Sequence, residues 1–117
     1  FTPTCHNNHL PGFIENRDAL LGKGVAEIVV LSTNDTHVLR AWAEATGGKG
    51  KIRFVSDGNT EFITKAGLSF DGSGTGMGTR ARRFAMIVDD GVVKALAIEE
   101  QRGQTAVSSA AQILEKL

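Results

Sequence analysis

The chain has 117 residues and a formal net charge of zero, with 13 basic and 13 acidic side chains. This length suits one domain rather than two, because most compact domains contain about 100–150 residues. The balanced charge leaves no electrostatic footprint for nucleic acid or membrane, and 41% hydrophobic residues is the content of a soluble globular chain. No apolar run approaches the roughly 18–20 residues that a membrane-spanning helix needs.

The first stretch of the chain predicts a helix that carries a cysteine. Apolar residues recur at helical spacing over 5–21, and Gly22-Lys23-Gly24 is a typical helix stop. We expect Pro11 to kink this helix, because proline has no backbone N–H to donate. The apolar run within 25–31 then predicts a strand that is buried on both faces.

A helix and a second strand follow. Asn34 and Asp35 can cap a helix that ends at Gly47-Gly48, and residues 52–55 predict the next strand. Strand, helix and strand in this order form a crossover, which implies parallel pairing of the two strands. The predicted inner face of the helix is formed by Val38, Leu39, Trp42 and Ala45.

The second half begins with a turn at 57–59 and a short helix over 60–66, with Phe62 and Ile63 directed inward. The glycine-rich residues 71–79 predict a loop. Their glycines superficially resemble a phosphate-binding loop, but they lack the Gly-Lys-Ser/Thr ending and the flanking strand and helix.

A hairpin and a final helix complete the chain. The strands predicted over 82–88 and 92–98 flank Asp90-Gly91, a pair favoured in type I′ turns. Ser109 and Gln112 have the spacing of a capping box for a helix within 107–117, with Ile113, Leu114 and Leu117 on its apolar face. With one strand added before Phe1, this order matches an α/β thioredoxin-like fold, a central mixed sheet flanked by helices.

The only cysteine, Cys5, lies at or before the first turn of the predicted helix. Unpaired backbone N–H groups and the helix dipole at this end favour an anion, here the thiolate. An ordinary thiol, with a pKa of about 8.5, is only roughly 3% ionised at pH 7, so such a position increases nucleophilicity. The alternative is a lone cysteine that packs as a small buried hydrophobe.

Other side chains suggest weaker hypotheses. Cys5, His6 and His9 lie close in sequence, but only Cys5 and His9 share a helical face, and two ligands do not close a zinc site. We expect His9 to pack or hydrogen-bond beside the helix, His37 to be solvated, and Trp42 to lie in the core or at a dimer contact.

The segment from Phe1 to Phe13, with Phe-Thr-Pro-Thr-Cys followed by His-Leu-Pro-Gly-Phe, resembles the active-site segment of type II, or peroxiredoxin-five-like, peroxiredoxins of the redoxin superfamily. Similar landmarks occur in order along the whole chain. They are Ser32-Thr33-Asn34-Asp35, Val38, Trp42, Asp57-Gly58, Gly78-Thr79-Arg80, the run 82–88, the run 89–96 and Val107-Ser108-Ser109-Ala110.

The resemblance implies a thiol peroxidase that needs no metal or organic cofactor. Thr2 and Cys5 match the last two fixed positions of the family motif Pro-x-x-x-Thr-x-x-Cys, and Cys5 would be the peroxidatic nucleophile. Arg83 matches the active-site arginine, and Arg80 could support it; the alternative is that Arg80, Arg82 and Arg83 form only a solvated basic edge. The backbone N–H groups of Thr4 and Cys5, with Arg83, would hold the peroxide.

Regeneration would require an external thiol. Some family members have a resolving cysteine at positions that here hold Val30 and Ala106, so the resemblance implies a one-cysteine mechanism. The external thiol would be glutathione with glutaredoxin, thioredoxin, or the modified Cys5 of another subunit. The resemblance also implies a homodimer, and the absence of a signal segment favours a cytoplasmic setting.

The beginning of the chain at Phe1, without an initiating Met, predicts that a central strand and the leading proline of the motif lie upstream; an organellar transit peptide could lie there too. A chain without that strand suggests a second hypothesis, a non-enzymatic thioredoxin-like redox-signalling or binding module. Peroxide consumption that depends on Cys5 separates the two hypotheses.

Overall fold

The computed structural model describes residues 1–101 and 103–117. These residues form two compact units. One unit joins Phe1–Ile28 to Arg83–Leu117 and contains the cysteine, and the other consists of Val29–Arg82.

The first unit begins with three short helical segments. A π-helical turn, Cys5–His9, leads into α1, Leu10–Glu15, and α2 follows as Arg17–Gly22. Pro11 lies in the first turn of α1, where the missing N–H of proline is tolerated. The predicted helix is instead interrupted at Asn16, between α1 and α2, where φ is −96° and ψ is 10°. The interruption lies five residues after the predicted kink.

The predicted hairpin is present in the same unit. Strand β5, Phe84–Asp89, pairs antiparallel with β6, Val92–Ile98. Asp90 and Gly91 have φ values of 51° and 77°, which confirms the type I′ turn that this pair predicts. One further main-chain bond, from Glu99 N–H to Arg83 O at 2.9 Å, extends the pairing beyond the strand ends.

The chain ends in α5, Ala110–Lys116. The Ser109 hydroxyl accepts a hydrogen bond from Gln112 N–H at 3.2 Å, which confirms the predicted cap. Residues from α1, α2, β6 and α5 form the apolar core of this unit, and burial of each large side chain contributes about 1.5–3 kcal/mol. The core residues are Leu10, Leu20, Ala97, Ala110 and Ile113.

The second unit contains the predicted crossover. Strand β1, Val29–Ser32, pairs in parallel with β2, Arg53–Ser56, and α3, Thr36–Thr46, connects them. Val29 is 48% exposed, so the prediction that this run is buried on both faces is wrong. Among the described residues β1 pairs with β2 alone, which leaves its other edge without a covering strand.

Local signals set the ends of α3, but its buried face is shifted. The Asp35 carboxylate accepts a hydrogen bond from Val38 N–H at 2.9 Å, and the helix ends at Gly47 with φ 76°. The buried face consists of Leu39, Trp42 and Ala43, whereas Val38 and Ala45 are exposed. Trp42 packs edge-on against Phe54 with ring centroids 5.8 Å apart, and it therefore belongs to the core of this unit.

The next elements are α4, Glu61–Lys65, and a small antiparallel hairpin of β3, Ser69–Asp71, and β4, Thr79–Ala81. In α4, Ile63 is fully buried as predicted, but Phe62 is 43% exposed, because a helix this short directs only one of two adjacent side chains inward. The predicted loop over 71–79 is correct only for the residues between the two strands. Strands of three residues each leave too little alternation to be recognised in a glycine-rich sequence.

A buried carboxylate holds the start of α4. Asp57 Oδ1 accepts from Phe62 N–H at 3.1 Å, and Oδ2 accepts from Ile63 N–H at 2.9 Å. We expect Asp57→Ala to lower the free energy of unfolding by about 1–3 kcal/mol, because one buried and one part-buried N–H group lose their acceptor. Urea denaturation measures this change. The matched control is Asp35→Ala, which removes an exposed helix cap, and a loss at Asp57 no larger than the control's loss would contradict the assignment.

Candidate active site

Cys5 is the first residue of the π-helical turn and is half-buried. The helical hydrogen bond nearest the start of the chain runs from His6 N–H to Thr2 O, 2.8 Å long. The N–H groups of Thr4 and Cys5 precede that bond, at the end of the helix where main-chain donors have no acceptor within the helix. The thiol therefore lies beside donors that favour an anion.

A guanidinium group contacts the sulfur from the opposite end of the sequence. Arg83 directly precedes β5, and its Nη2 lies 3.3 Å from Cys5 Sγ, although the two residues are 78 positions apart. Its Nη1 donates to Gln104 O at 3.3 Å. A permanent positive charge at this distance stabilises a thiolate more than a neutral thiol.

His9 lies beside the same helix. Its Nε2 is 2.8 Å from Ser108 O, and because a carbonyl only accepts, Nε2 carries the hydrogen. The ring also packs edge-on against Phe13, with centroids 5.5 Å apart, so the predicted role in packing and hydrogen bonding is confirmed.

The surroundings of His9 favour the neutral imidazole. Burial lowers the pKa of His9 below its ordinary value of 6.5, and the positive charge of Arg83 lowers it further. The hydrogen bond to Ser108 and the charge of Glu99 oppose this lowering without reversing it. Protonation of His9 therefore disfavours the folded state.

This gives a pH-dependent stability. Between the lowered pKa of folded His9 and 6.5, the unfolded chain binds more protons, so the free energy of unfolding rises with pH and levels off above 6.5. We expect His9→Gln to remove this contribution, which is at most about 1.4 kcal/mol per pH unit. Urea denaturation between pH 5.5 and 7.5 measures the slope, with the exposed His37→Gln as control. An unchanged slope in His9→Gln would exclude this effect.

A buried carboxylate lies directly after β6. Glu99 is only 6% exposed, and its Oε1 accepts from Ala106 N–H at 3.0 Å. Its Oε2 accepts from Val107 N–H at 2.9 Å and from Ser108 N–H at 2.7 Å. Burial acts to raise the pKa of this carboxyl, but hydrogen bonds from Ser108, Val107 and Ala106 outweigh burial and hold the pKa below its usual value.

No signal in the sequence points to Glu99 as a residue of the site. Its partners lie seven to nine residues downstream, and no spacing rule connects them to the carboxylate. A glutamate that follows an apolar strand more often ends the strand on the surface.

The structure brings Cys5, Arg83 and His9 together, and Thr2 lies exposed at the start of the same helix, where its carbonyl accepts from His6. Within residues 1–101 and 103–117, no group of three or more His, Cys, Asp or Glu side chains is arranged to hold a metal ion. Across the same ranges no helix has the length and apolar character to cross a membrane. Cys5, Arg83 and the start of the helix together offer a nucleophilic sulfur, a fixed cation and main-chain donors.

Arg80 belongs to the second unit and has partners there. Its Nε donates to Met77 O at 2.8 Å, and its Nη1 lies 3.3 Å from Asn34 Oδ1. These bonds tie the start of β4 to the residues after β1. Arg80 thus has an observed structural role within its own unit.

Comparison with known proteins adds a family. The family described as Redoxin matches residues 1–114. The chain is 47% identical over 120 residues to "Peroxiredoxin-2E-2, chloroplastic" of Oryza sativa subsp. japonica, covering 100% of this chain but 53% of that protein, so it spans about half the relative's length. It is 44% identical to "Peroxiredoxin-2B" of Arabidopsis thaliana, covering 100% of this chain and 72% of that protein.

A solved structure is similar over the whole chain. Reduced Prx3 from Vibrio vulnificus, crystallised in complex with hydrogen peroxide, superposes with a TM-score of 0.93 at 43% identity. The match covers 100% of this chain and 74% of that one. At this level of identity, the shared fold extends to the elements that carry Cys5 and Arg83.

Proposed function

The chain belongs to the Redoxin family as a type II, peroxiredoxin-five-like peroxiredoxin with a thioredoxin-like fold, and from this premise we propose that it reduces hydrogen peroxide and alkyl hydroperoxides at Cys5. The observation that carries the proposal is the Arg83 guanidinium 3.3 Å from Cys5 Sγ at a helix start. This arrangement places a nucleophilic sulfur beside a fixed cation, where charge must move during the reaction.

The proposed step is a two-electron oxidation of sulfur. The Cys5 thiolate attacks one peroxide oxygen, an S–O bond forms, and the O–O bond breaks. The leaving hydroxide or alkoxide takes up a proton and departs as water or alcohol, and Cys5 remains as a sulfenic acid. Because sulfur supplies both electrons, the step uses no metal or organic cofactor.

In this proposal the surrounding groups stabilise the charge as it moves. Arg83 and the backbone N–H groups of Thr4 and Cys5 donate to the peroxide and to the oxygen that leaves. The Thr2 hydroxyl can accept a hydrogen bond from the peroxide and donate one toward sulfur. These donors lie at the start of a helix and directly before strand β5, so little rearrangement is needed at the moment of reaction.

The test is a single turnover of the reduced protein. We expect one equivalent of hydrogen peroxide to be consumed per chain, with a dimedone adduct on Cys5, at a rate at least about 10³-fold above that of free cysteine at the same pH. Stopped-flow measurement and intact-protein mass spectrometry report the two quantities. Oxidation at the rate of free cysteine would reject the peroxidase and favour the redox-signalling or binding module.

For regeneration we propose a one-cysteine mechanism. Val30 and Ala106 occupy the positions at which some peroxiredoxins of this type have a resolving cysteine. An external thiol would attack the sulfenic sulfur, forming a mixed disulfide and releasing water, and a second thiol would then release Cys5. Steady-state turnover with glutathione and glutaredoxin, compared with thioredoxin and its reductase, identifies the donor; turnover with neither would contradict the mechanism.

Replacement of Thr2 gives a graded test of the site. We expect Thr2→Val to slow single-turnover peroxide reduction by about 10–100-fold, because one polar contact in the transition state is lost. Thr2→Ser keeps the hydroxyl and serves as the matched variant, with a rate within about threefold of the parent protein. Equal rates for the valine and serine variants would remove Thr2 from the site.

Assembly into a homodimer and a cytoplasmic setting stay predictions. The relatives include proteins named as chloroplastic, so the family by itself does not decide the compartment.

A further inference from the structure

Two groups of the site contact one segment, residues 104–108. Arg83 Nη1 donates to the carbonyl of Gln104 at 3.3 Å, while Nη2 of the same guanidinium contacts Cys5 Sγ. His9, four residues after Cys5, bonds through Nε2 to the carbonyl of Ser108. The position of this segment therefore affects both the arginine and the helix that carries the thiol.

The Glu99 carboxylate holds that segment in place. Three consecutive N–H groups, from Ala106 to Ser108, donate to its two oxygens over 2.7–3.0 Å. Charge-assisted bonds of this kind are about twice as strong as neutral ones. Glu99 also donates its own backbone N–H to Arg83 O, so both the main chain and the guanidinium of Arg83 are connected to Glu99.

We propose that Glu99 is a positioning residue for Cys5, whose carboxylate holds segment 104–108 in the conformation that directs the Arg83 guanidinium at Cys5 Sγ. Its consequence for peroxide reduction rests on the proposed function. The positioning itself is measurable on the thiol without any peroxide.

The direct charge effect of Glu99 and its positioning effect change the thiolate fraction of Cys5 in opposite directions. The negative charge of Glu99, acting through space, disfavours a thiolate, so removal of the charge alone would increase the thiolate fraction of Cys5. Misplacement of Arg83 would decrease that fraction, because the thiolate loses its cation. The sign of the change therefore distinguishes the two effects.

The experiment is alkylation of Cys5 by iodoacetamide in Glu99→Gln. Glutamine has the same shape, but its amide nitrogen cannot accept from a backbone N–H, and it carries no charge. We expect the alkylation rate to fall about three- to tenfold at pH 6.5 and to stay within about twofold of the parent at pH 9.5, a pH at which an ordinary thiol, with a pKa of about 8.5, is mostly ionised. A change in access alone would alter the rate equally at both pH values and would overturn the proposal.

Glu100→Gln is the matched control, because this exposed neighbour loses the same charge. Its alkylation rate at pH 6.5 should be equal to or slightly above that of the parent. A Glu99→Gln rate that equals or exceeds the Glu100→Gln rate would overturn the proposal. Glu99→Asp provides a second variant that keeps the charge but shortens the reach, and it should also slow alkylation at pH 6.5.

A double-mutant cycle tests the path through Arg83. In an Arg83→Met background, Glu99→Gln should no longer slow alkylation at pH 6.5, because the guanidinium it positions is gone. An undiminished effect would show that Glu99 acts by another route. If the parent protein fails to reduce peroxide while this alkylation pattern holds, the proposed function fails and the positioning role stands. If the parent protein reduces peroxide but the alkylation pattern is absent, the positioning role fails and the proposed function stands.

Discussion

Cys5→Ser is expected to abolish peroxide reduction, with a second-order rate constant at least about 10³-fold below that of the parent protein. A serine hydroxyl beside Arg83 remains protonated near pH 7, and oxygen does not form the stable two-electron oxidised species that sulfur does. The measurement is stopped-flow peroxide consumption under single-turnover conditions. The parent protein, alkylated at Cys5, should show the same loss.

The substitution changes one atom at a half-buried position, so the fold should be retained. Equal urea denaturation midpoints for the parent and Cys5→Ser would show that the loss of rate is chemical. A serine variant that keeps more than about one tenth of the activity would rule out Cys5 as the nucleophile, since removal of a true nucleophile leaves far less.

Arg83→Met is expected to have the second largest effect, a decrease of about 10²–10³-fold in the same rate constant. The substitution removes both the charge next to Cys5 Sγ and a donor to the departing oxygen. Arg83→Lys restores the charge without the planar fork and should recover only part of the rate, because lysine cannot bond both Gln104 O and the sulfur in the same geometry.

Arg82→Met is the control for net charge. Arg82, the residue before Arg83, donates its backbone N–H to Leu68 O at 2.7 Å, and this bond survives the substitution. We expect its rate to stay within about threefold of the parent, because the contact between Arg83 Nη2 and Cys5 Sγ is retained. Similar losses in the two variants would indicate a general field effect in place of the contact at Cys5.

Several elements could be predicted because their signals are local. Asp90 and Gly91 form a type I′ turn through their own backbone preferences. Asp35 and Ser109 begin helices by accepting a hydrogen bond from a residue three positions later. Gly47 ends α3 because its φ of 76° is readily adopted only by glycine. In each case the residue and its partner lie within one turn.

Burial was predicted less well, because it depends on what packs against an element. Val38 and Phe62 are apolar and have helical spacing, yet both are exposed, while the adjacent Leu39 and Ile63 are buried. A shift of one residue rotates the buried face of a helix by about 100°. The partner that selects the face is distant in sequence, so spacing alone leaves neighbouring faces nearly equivalent.

The sequence by itself determined the helix caps, the hairpin turn and the parallel crossover, and through its resemblance to a family it indicated Cys5, Thr2 and Arg83. Only the tertiary structure decided that Arg83 Nη2 lies 3.3 Å from a sulfur 78 residues away. It also decided that Glu99 is buried and binds the segment that Arg83 and His9 contact. Local features follow from the preferences of a few neighbouring residues. The contacts of Arg83 and Glu99 arise only when distant parts of the chain pack together, because a charge that is removed from water needs hydrogen-bond partners from the protein.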